Sequence, residues 1–168
     1  MRREFYIERN NFMKQLTAIV IGAGGRGTAY CRYMQALPEK YKVIGVADPV
    51  AEKRRVIKEM HGIADEMCFE TWEDILALPK MADLVVIATS DNLHYGPAMK
   101  AIELGYDILL EKPVAQTVKE CTDIARAAQE KGVSVLDVNV GLPEINESEM
   151  MERVIRSVQA VIDLPLQI

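Results

Sequence analysis

The hydrophobic positions of this chain fall into short apolar runs separated by amphipathic stretches, and the two kinds of segment alternate. Residues 16–21, "LTAIVI", form an apolar run that ends at glycines, the pattern of a buried strand. A helix is predicted over 26–36, a second strand over 41–47 and a second helix over 50–61. A short strand follows at 67–70, then the clearest one, "LVVIA", at 84–88. The spacing predicts a helix over 93–104 that stops at Gly105, a residue suited to the position just past a helix end. A strand at 106–110, a helix at 118–131 stopped by Gly132, and a strand at 133–138 complete the series. Further on, Met150, Met151, Val154, Ile155, Val158 and Val161 recur at helical spacing over 147–161, and the chain closes on "LPLQI". Continuous apolar strands joined by helices predict the α/β class: a doubly wound parallel sheet covered on both faces.

Composition narrows the function classes. The 168 residues are 49% hydrophobic, which suits one domain with a real core and an appendage. The net charge of -5 comes from interspersed acids and bases. No basic stripe argues for nucleic acid, and no apolar run approaches a membrane span. Cys31, Cys68 and Cys121 lie far apart without a CxxC pair. That pattern fits reduced cytoplasmic thiols better than a disulfide framework or a metal site. The first twelve residues, "MRREFYIERNNF", lack the apolar centre of a signal peptide and read as a flexible extension, with Met13 an alternative start.

The candidate chemistry begins at "IVIGAGGRG". Gly22, Gly24 and Gly27 make a GxGxxG pattern, with Gly25 and Arg26 inside it, between a predicted strand and a predicted helix. That context is the one a dinucleotide-binding loop requires. Gly22 permits the tight turn, Gly24 lets backbone approach a pyrophosphate, and Gly27 lets helix and strand pack closely. The helix start adds free N–H groups and partial positive charge, and Arg26 offers a cation or stands as an ordinary surface arginine. Asp48 ends the second strand about 20 residues on, where a carboxylate accepts hydrogen bonds from ribose hydroxyls and disfavours a 2′-phosphate. Asp48 before Pro49 also reads as a helix cap. Lys53, Arg54 and Arg55 leave the choice between NAD and NADP open, because one of them reaching a 2′-phosphate and all three lining a solvated helix face are both consistent with the spacing.

Two further segments carry a resemblance. "VVIATSDNLHYGPAMKAIELGYDILLEKP", together with the glycine loop, resembles the glucose–fructose oxidoreductase / inositol dehydrogenase (Gfo/Idh/MocA) family over about residues 13–136. That family carries Thr-Pro-x-x-x-His after its fourth strand and Glu-Lys-Pro after its fifth. Here Thr89 to His94 match with Ser90 in place of proline, and Glu111, Lys112 and Pro113 match fully. The resemblance implies that Thr89, Asn92 and His94 lie along the cofactor on its nicotinamide side. It also implies that Glu111 and Lys112 sit at the end of the fifth strand, with Lys112 beside the nicotinamide ribose and the substrate, and that Pro113 follows a cis peptide. Lys112 is then the catalytic candidate, orienting or polarising a hydroxyl of a sugar or polyol.

After residue 136 the chain departs from that pattern. "DVNVGLPEINESEMMERVIRSVQAVIDLPLQI" resembles a fragment of the pterin-binding methyltransferase barrels that act on methyltetrahydrofolate and corrinoid proteins, with Asp137, Asn139 and Gly141 in the pterin-contacting motif. Residues 137–168 are therefore expected to form an appended strand–helix–strand piece that extends the sheet, in a truncated or chimeric chain. Three functions compete. They are the NAD(P)-binding domain of an oxidoreductase incomplete without its substrate domain, a non-catalytic dinucleotide-binding module, and a methyltransferase fragment. The exposed edge of the last strand, or the surface lacking a second domain, is expected to favour a homo-oligomer.

Overall fold

The computed structural model describes residues 15–137. Its first strand, β1 (Leu16–Ile21), shows how the layers arise. Successive side chains of a strand point to opposite faces. Leu16, Ala18 and Val20 accordingly enter one apolar cluster, and Ile19 and Ile21 the other. A strand apolar on both faces must be covered on both.

The remaining elements supply those covers. α1 (Gly25–Ala36), β2 (Tyr41–Ala47), α2 (Ala51–His61), β3 (Cys68–Phe69), α3 (Trp72–Leu76), β4 (Leu84–Ile87), α4 (Tyr95–Glu103), β5 (Asp107–Leu110), α5 (Val118–Lys131) and β6 (Val135–Asp137) follow in chain order. The sheet runs β3-β2-β1-β4-β5-β6 with every pairing parallel. On one face α1 contributes Tyr30, Cys31 and Met34, and α2 contributes Ile57. On the other, α3 adds Ile75 and Leu76, α4 adds Ala98, Ala101 and Ile102, and α5 adds Ile124 and Ala128. Each fully buried Ile, Leu or Met side chain among these stabilises the fold by roughly 1.5–3 kcal/mol. Burial also pushes the Cys31 thiol up to about 12, so this cysteine is an inert core residue.

The predicted order of elements stands, with local corrections. The strand expected at 67–70 shortens to β3, because residues 65–67 form a single 3-10 turn. The helix expected from 93 begins at Tyr95, after another such turn at Asp91–Leu93. Asp48 does not cap α2. The N-cap is Val50, and Asp48 Oδ1 instead accepts a hydrogen bond from the Val50 amide at 2.9 Å, two residues on. α3 was not anticipated. Thr71 caps it, its Oγ1 accepting from the Asp74 amide at 3.1 Å. α5 begins with a reciprocal capping box between Thr117 and Glu120. The helix expected over 147–161, the closing "LPLQI" and the N-terminal extension lie outside the described residues.

Candidate functional site

The strand order reverses between β1 and β4, and the carboxyl ends of parallel strands beside such a reversal are where ligands of open α/β sheets bind. The glycine loop lies there. Gly22 has φ +92°, and a Cβ on it would lie 2.4 Å from the Ala88 carbonyl oxygen and 2.7 Å from the Thr89 amide. Backbone after β4 occupies that space, so a side chain is excluded twice over. At Gly27 a Cβ would lie 1.9 Å from the Gly22 carbonyl oxygen, so α1 rests directly on the loop. Gly24 and Gly25 differ: no atom comes within 4 Å of a Cβ at either. Gly24 is the N-cap of α1 and supplies no capping side chain, and the first turn holds no acid. Open space therefore faces a helix start whose amides and dipole favour an anion.

Asp48 is 6% exposed and anchored to the loop. Its Oδ2 accepts from the Ala23 amide at 2.8 Å while Oδ1 serves Val50. Each carboxylate oxygen retains a second lone pair. The three cations that follow are sorted by their partners. Arg54 Nη1 donates to the Asp48 carbonyl at 2.6 Å and Nη2 lies 3.5 Å from Glu70. Arg55 is held on the outer face of α2 by Glu52 and Glu59 at 2.6 and 2.5 Å. Lys53 lines the cleft.

The segment after β4 is tied to the end of β5 through His94. This side chain is fully buried, and its ring nitrogens face two carbonyls: Nδ1 is 2.7 Å from the Pro113 oxygen and Nε2 is 3.2 Å from that of Thr89. Lys112–Pro113 is a cis peptide, as the family resemblance implied. Glu111, at the end of β5, is 4% exposed. Its Oε1 accepts from Arg26 Nε at 2.7 Å and from the Tyr30 hydroxyl, and Oε2 accepts from the Lys112 amide at 3.1 Å. Burial pushes this carboxyl up, but the Tyr30 and Arg26 hydrogen bonds outweigh it and hold Glu111 below its ordinary range. Burial, then the bond to Glu111, raises the Tyr30 phenol, and the same partner raises Arg26. The Arg26 guanidinium also lies over the Tyr30 ring, 5.6 Å from its centre.

These elements surround an open cleft of about 560 Å³. Among the residues singled out from sequence, Gly22, Gly24, Gly25, Arg26, Asp48, Lys53 and Thr89 line it. Gly27 lies beneath the loop, His94 and Glu111 are buried behind it, and Asn92, Lys112 and Pro113 are exposed outside the lining. The cleft also takes in Glu70, Thr71, Trp72 and Glu73, which sequence reasoning passed over. Thr71-x-x-Asp74 was the available signal, a capping pattern that places this segment at a helix start just beyond a strand. Tyr30 was missed too. Backbone of Asp137 belongs to β6, and Asn139 lies outside the described residues.

The comparisons agree with this geometry. The Gfo/Idh/MocA model, described as an oxidoreductase family with an NAD-binding Rossmann fold, matches residues 16–139. It takes in Asp137 and Asn139, and the pterin-barrel resemblance finds no support. The chain is 30% identical to the 2,7-anhydro-N-acetylneuraminate hydratase of Mediterraneibacter gnavus, across 72% of this chain and 30% of the relative. It is 41% identical to the scyllo-inositol 2-dehydrogenase (NADP(+)) of Bacillus subtilis over 51 residues, 30% of this chain and 14% of that one. Among solved structures, GenD2 from gentamicin A biosynthesis in complex with NAD aligns with a TM-score of 0.67 at 25% identity, covering 75% of this chain and 35% of GenD2. The chain thus spans about 30% of the length of the curated relatives it matches first. A glycine loop at the strand-order reversal, the cis Lys112–Pro113 peptide and a family match over most of the chain lead to one assignment: the protein belongs to the Gfo/Idh/MocA oxidoreductase family and carries its NAD-binding Rossmann fold.

Proposed function

We propose that the cleft binds NAD(H) and that the chain serves as the cofactor-binding part of an oxidoreductase acting on a sugar or polyol. The observation that carries this reading is the open space over Gly24 and Gly25 at the uncapped start of α1. A pyrophosphate fits there without displacing any side chain, and Arg26 lies at its edge. Asp48 offers its remaining lone pairs to the ribose hydroxyls. NAD is favoured over NADP because Asp48 and Glu73 line the cleft and oppose a further phosphate, while Arg54 is held by the Asp48 carbonyl and Glu70, and Arg55 by Glu52 and Glu59. Lys53 is the cation of that triplet available to a 2′-phosphate.

Bound nicotinamide would supply the hydride donor or acceptor. Thr89 and Asn92 are assigned to its flank, and Lys112 to orienting or polarising the reacting hydroxyl. His94 and Pro113 hold the two loops together through the Nδ1–carbonyl contact. A binding module without chemistry of its own is the second reading, favoured by the position of Lys112 outside the cleft lining. Residues 137–168 are proposed as a structural appendage to the domain that precedes them, and self-association and a cytoplasmic setting are part of the proposal. The three free cysteines suit a reducing compartment.

Trp72, the sole tryptophan, lines the cleft and gives a direct readout. Titration with NADH is expected to quench its emission by energy transfer, with tighter binding than NADPH. Gly24→Val is expected to abolish binding. Equal NADH affinity in wild type and Gly24→Val would overturn the reading.

A further inference from the structure

We propose that Glu111 is a positioning residue for the pyrophosphate end of the bound dinucleotide, acting through Arg26 rather than on the ligand. The proposal rests on the dinucleotide reading above. Glu111 is 4% exposed and does not line the cleft, so a ligand there does not touch it. Its carboxylate is held by three donors, two from one turn of α1 and one from the next residue: Arg26 Nε at 2.7 Å, the Tyr30 hydroxyl and the Lys112 amide at 3.1 Å. A buried carboxylate is tolerated only when compensated in this way. The compensation also fixes the donors. A bond at Nε sets the plane of a guanidinium, and the Tyr30 ring 5.6 Å from it supplies a second restraint. The Arg26 side chain nevertheless remains 45% exposed and lines the cleft. Arg26 is thus held by Glu111 while its side chain borders the cleft, at the helix start where the open glycine positions lie. The same carboxylate holds the Lys112 amide, so one buried group organises the loop after β5 and the arginine at the start of α1.

A carboxylate that merely staples β5 to α1 would lower the melting temperature and leave ligand discrimination alone. The test is therefore a comparison of ligands on the full chain. Affinities for ADP-ribose, which carries the pyrophosphate, and for adenosine, which lacks it, are measured through Trp72 emission. Arg26→Ala and Glu111→Gln are each expected to weaken ADP-ribose about tenfold while changing adenosine less than about twofold. The double variant is expected to bind ADP-ribose about as weakly as either single one, because Glu111 acts through Arg26. Arg26→Lys keeps the charge but loses the Nε hold, and is expected to resemble Arg26→Ala. Wild-type ADP-ribose affinity in Glu111→Gln or in Arg26→Lys would overturn the proposal, as would multiplying losses in the double variant. Failure of the wild-type chain to bind NADH or ADP-ribose would overturn the dinucleotide reading with it. Normal binding by wild type and Glu111→Gln alike would remove this proposal alone.

Discussion

Gly27→Ala and Gly24→Val test the division of labour inside the glycine loop. An alanine Cβ at 27 would lie 1.9 Å from the Gly22 carbonyl oxygen, whereas carbon contacts settle at about 3.5 Å or more. The obstacle is backbone, and Gly22 is itself pressed against Ala88 and Thr89, so the loop has nowhere to retreat. α1 must move by roughly an ångström or more, loosening Tyr30, Cys31 and Met34 in the core. Overpacking of this kind costs about 3 kcal/mol, the upper part of its usual range. At roughly 2–4 °C per kcal/mol for a chain of this size, the melting temperature should fall by about 6–12 °C. At Gly24 the φ of -70° is open to any residue and nothing lies within 4 Å. Valine there is a poorer N-cap by about 1 kcal/mol, a fall of about 2–4 °C, while NADH binding should be lost. Thermal unfolding by circular dichroism, with NADH titration of the same samples, separates the two effects. A Gly27→Ala protein that melts within 2 °C of wild type would refute the packing argument.

Replacing Lys53 with alanine should weaken NADPH binding several-fold and leave NADH unchanged, as measured by Trp72 emission; an equal loss for both cofactors would show that Lys53 serves a shared part of the ligand. His94→Ala should cost about 2–4 kcal/mol, because one buried carbonyl, that of Pro113 or Thr89, loses the ring N–H and the missing ring leaves a cavity, and thermal unfolding in the absence of ligand measures it. Glu111 has a folded pKa below its unfolded one, so its contribution is present above about pH 4.5 and lost as pH falls through the lower folded value. The melting temperature of wild type should therefore drop more steeply than that of Glu111→Gln on acidification below about pH 4.5, and parallel curves would contradict the shift.

The sheet was legible because its strands are apolar on both faces, a pattern that leaves few other folds open. The glycine loop was legible because Gly22 and Gly27 are demanded by contacts that no side chain survives. Other features depend on partners far away in sequence. Glu111 and His94 look in the sequence like ligand contacts beside Lys112 and Thr89. The fold turns both inward because donors and carbonyls from other elements meet them. α3 is five residues long, too short for periodicity to reveal, so Trp72 and its neighbours escaped notice although their cap was readable. The basic triplet was half legible. Glu52 and Glu59 stand three and four residues from Arg55, the spacing of partners on one helix face. The bond from Arg54 to the Asp48 carbonyl depends on how β2 enters α2.

Asp48 and Glu111 make the same physical arrangement on opposite sides of the loop. Each is a nearly buried carboxylate at the carboxyl end of a strand, and each accepts from the segment that follows β1: Ala23 for Asp48, Arg26 and Tyr30 for Glu111. One strand lies beside β1 and the other two places away on the far side. The loop is therefore braced from both flanks by charge-assisted hydrogen bonds, the stronger kind. Bracing of this sort places the start of α1 before any ligand arrives, so the free energy of binding an anion there is not consumed in ordering the loop. Under the proposed reading it also accounts for two carboxylates beside an anion site. Their charge is directed at donors within the protein, and the helix start keeps its open face toward the cleft.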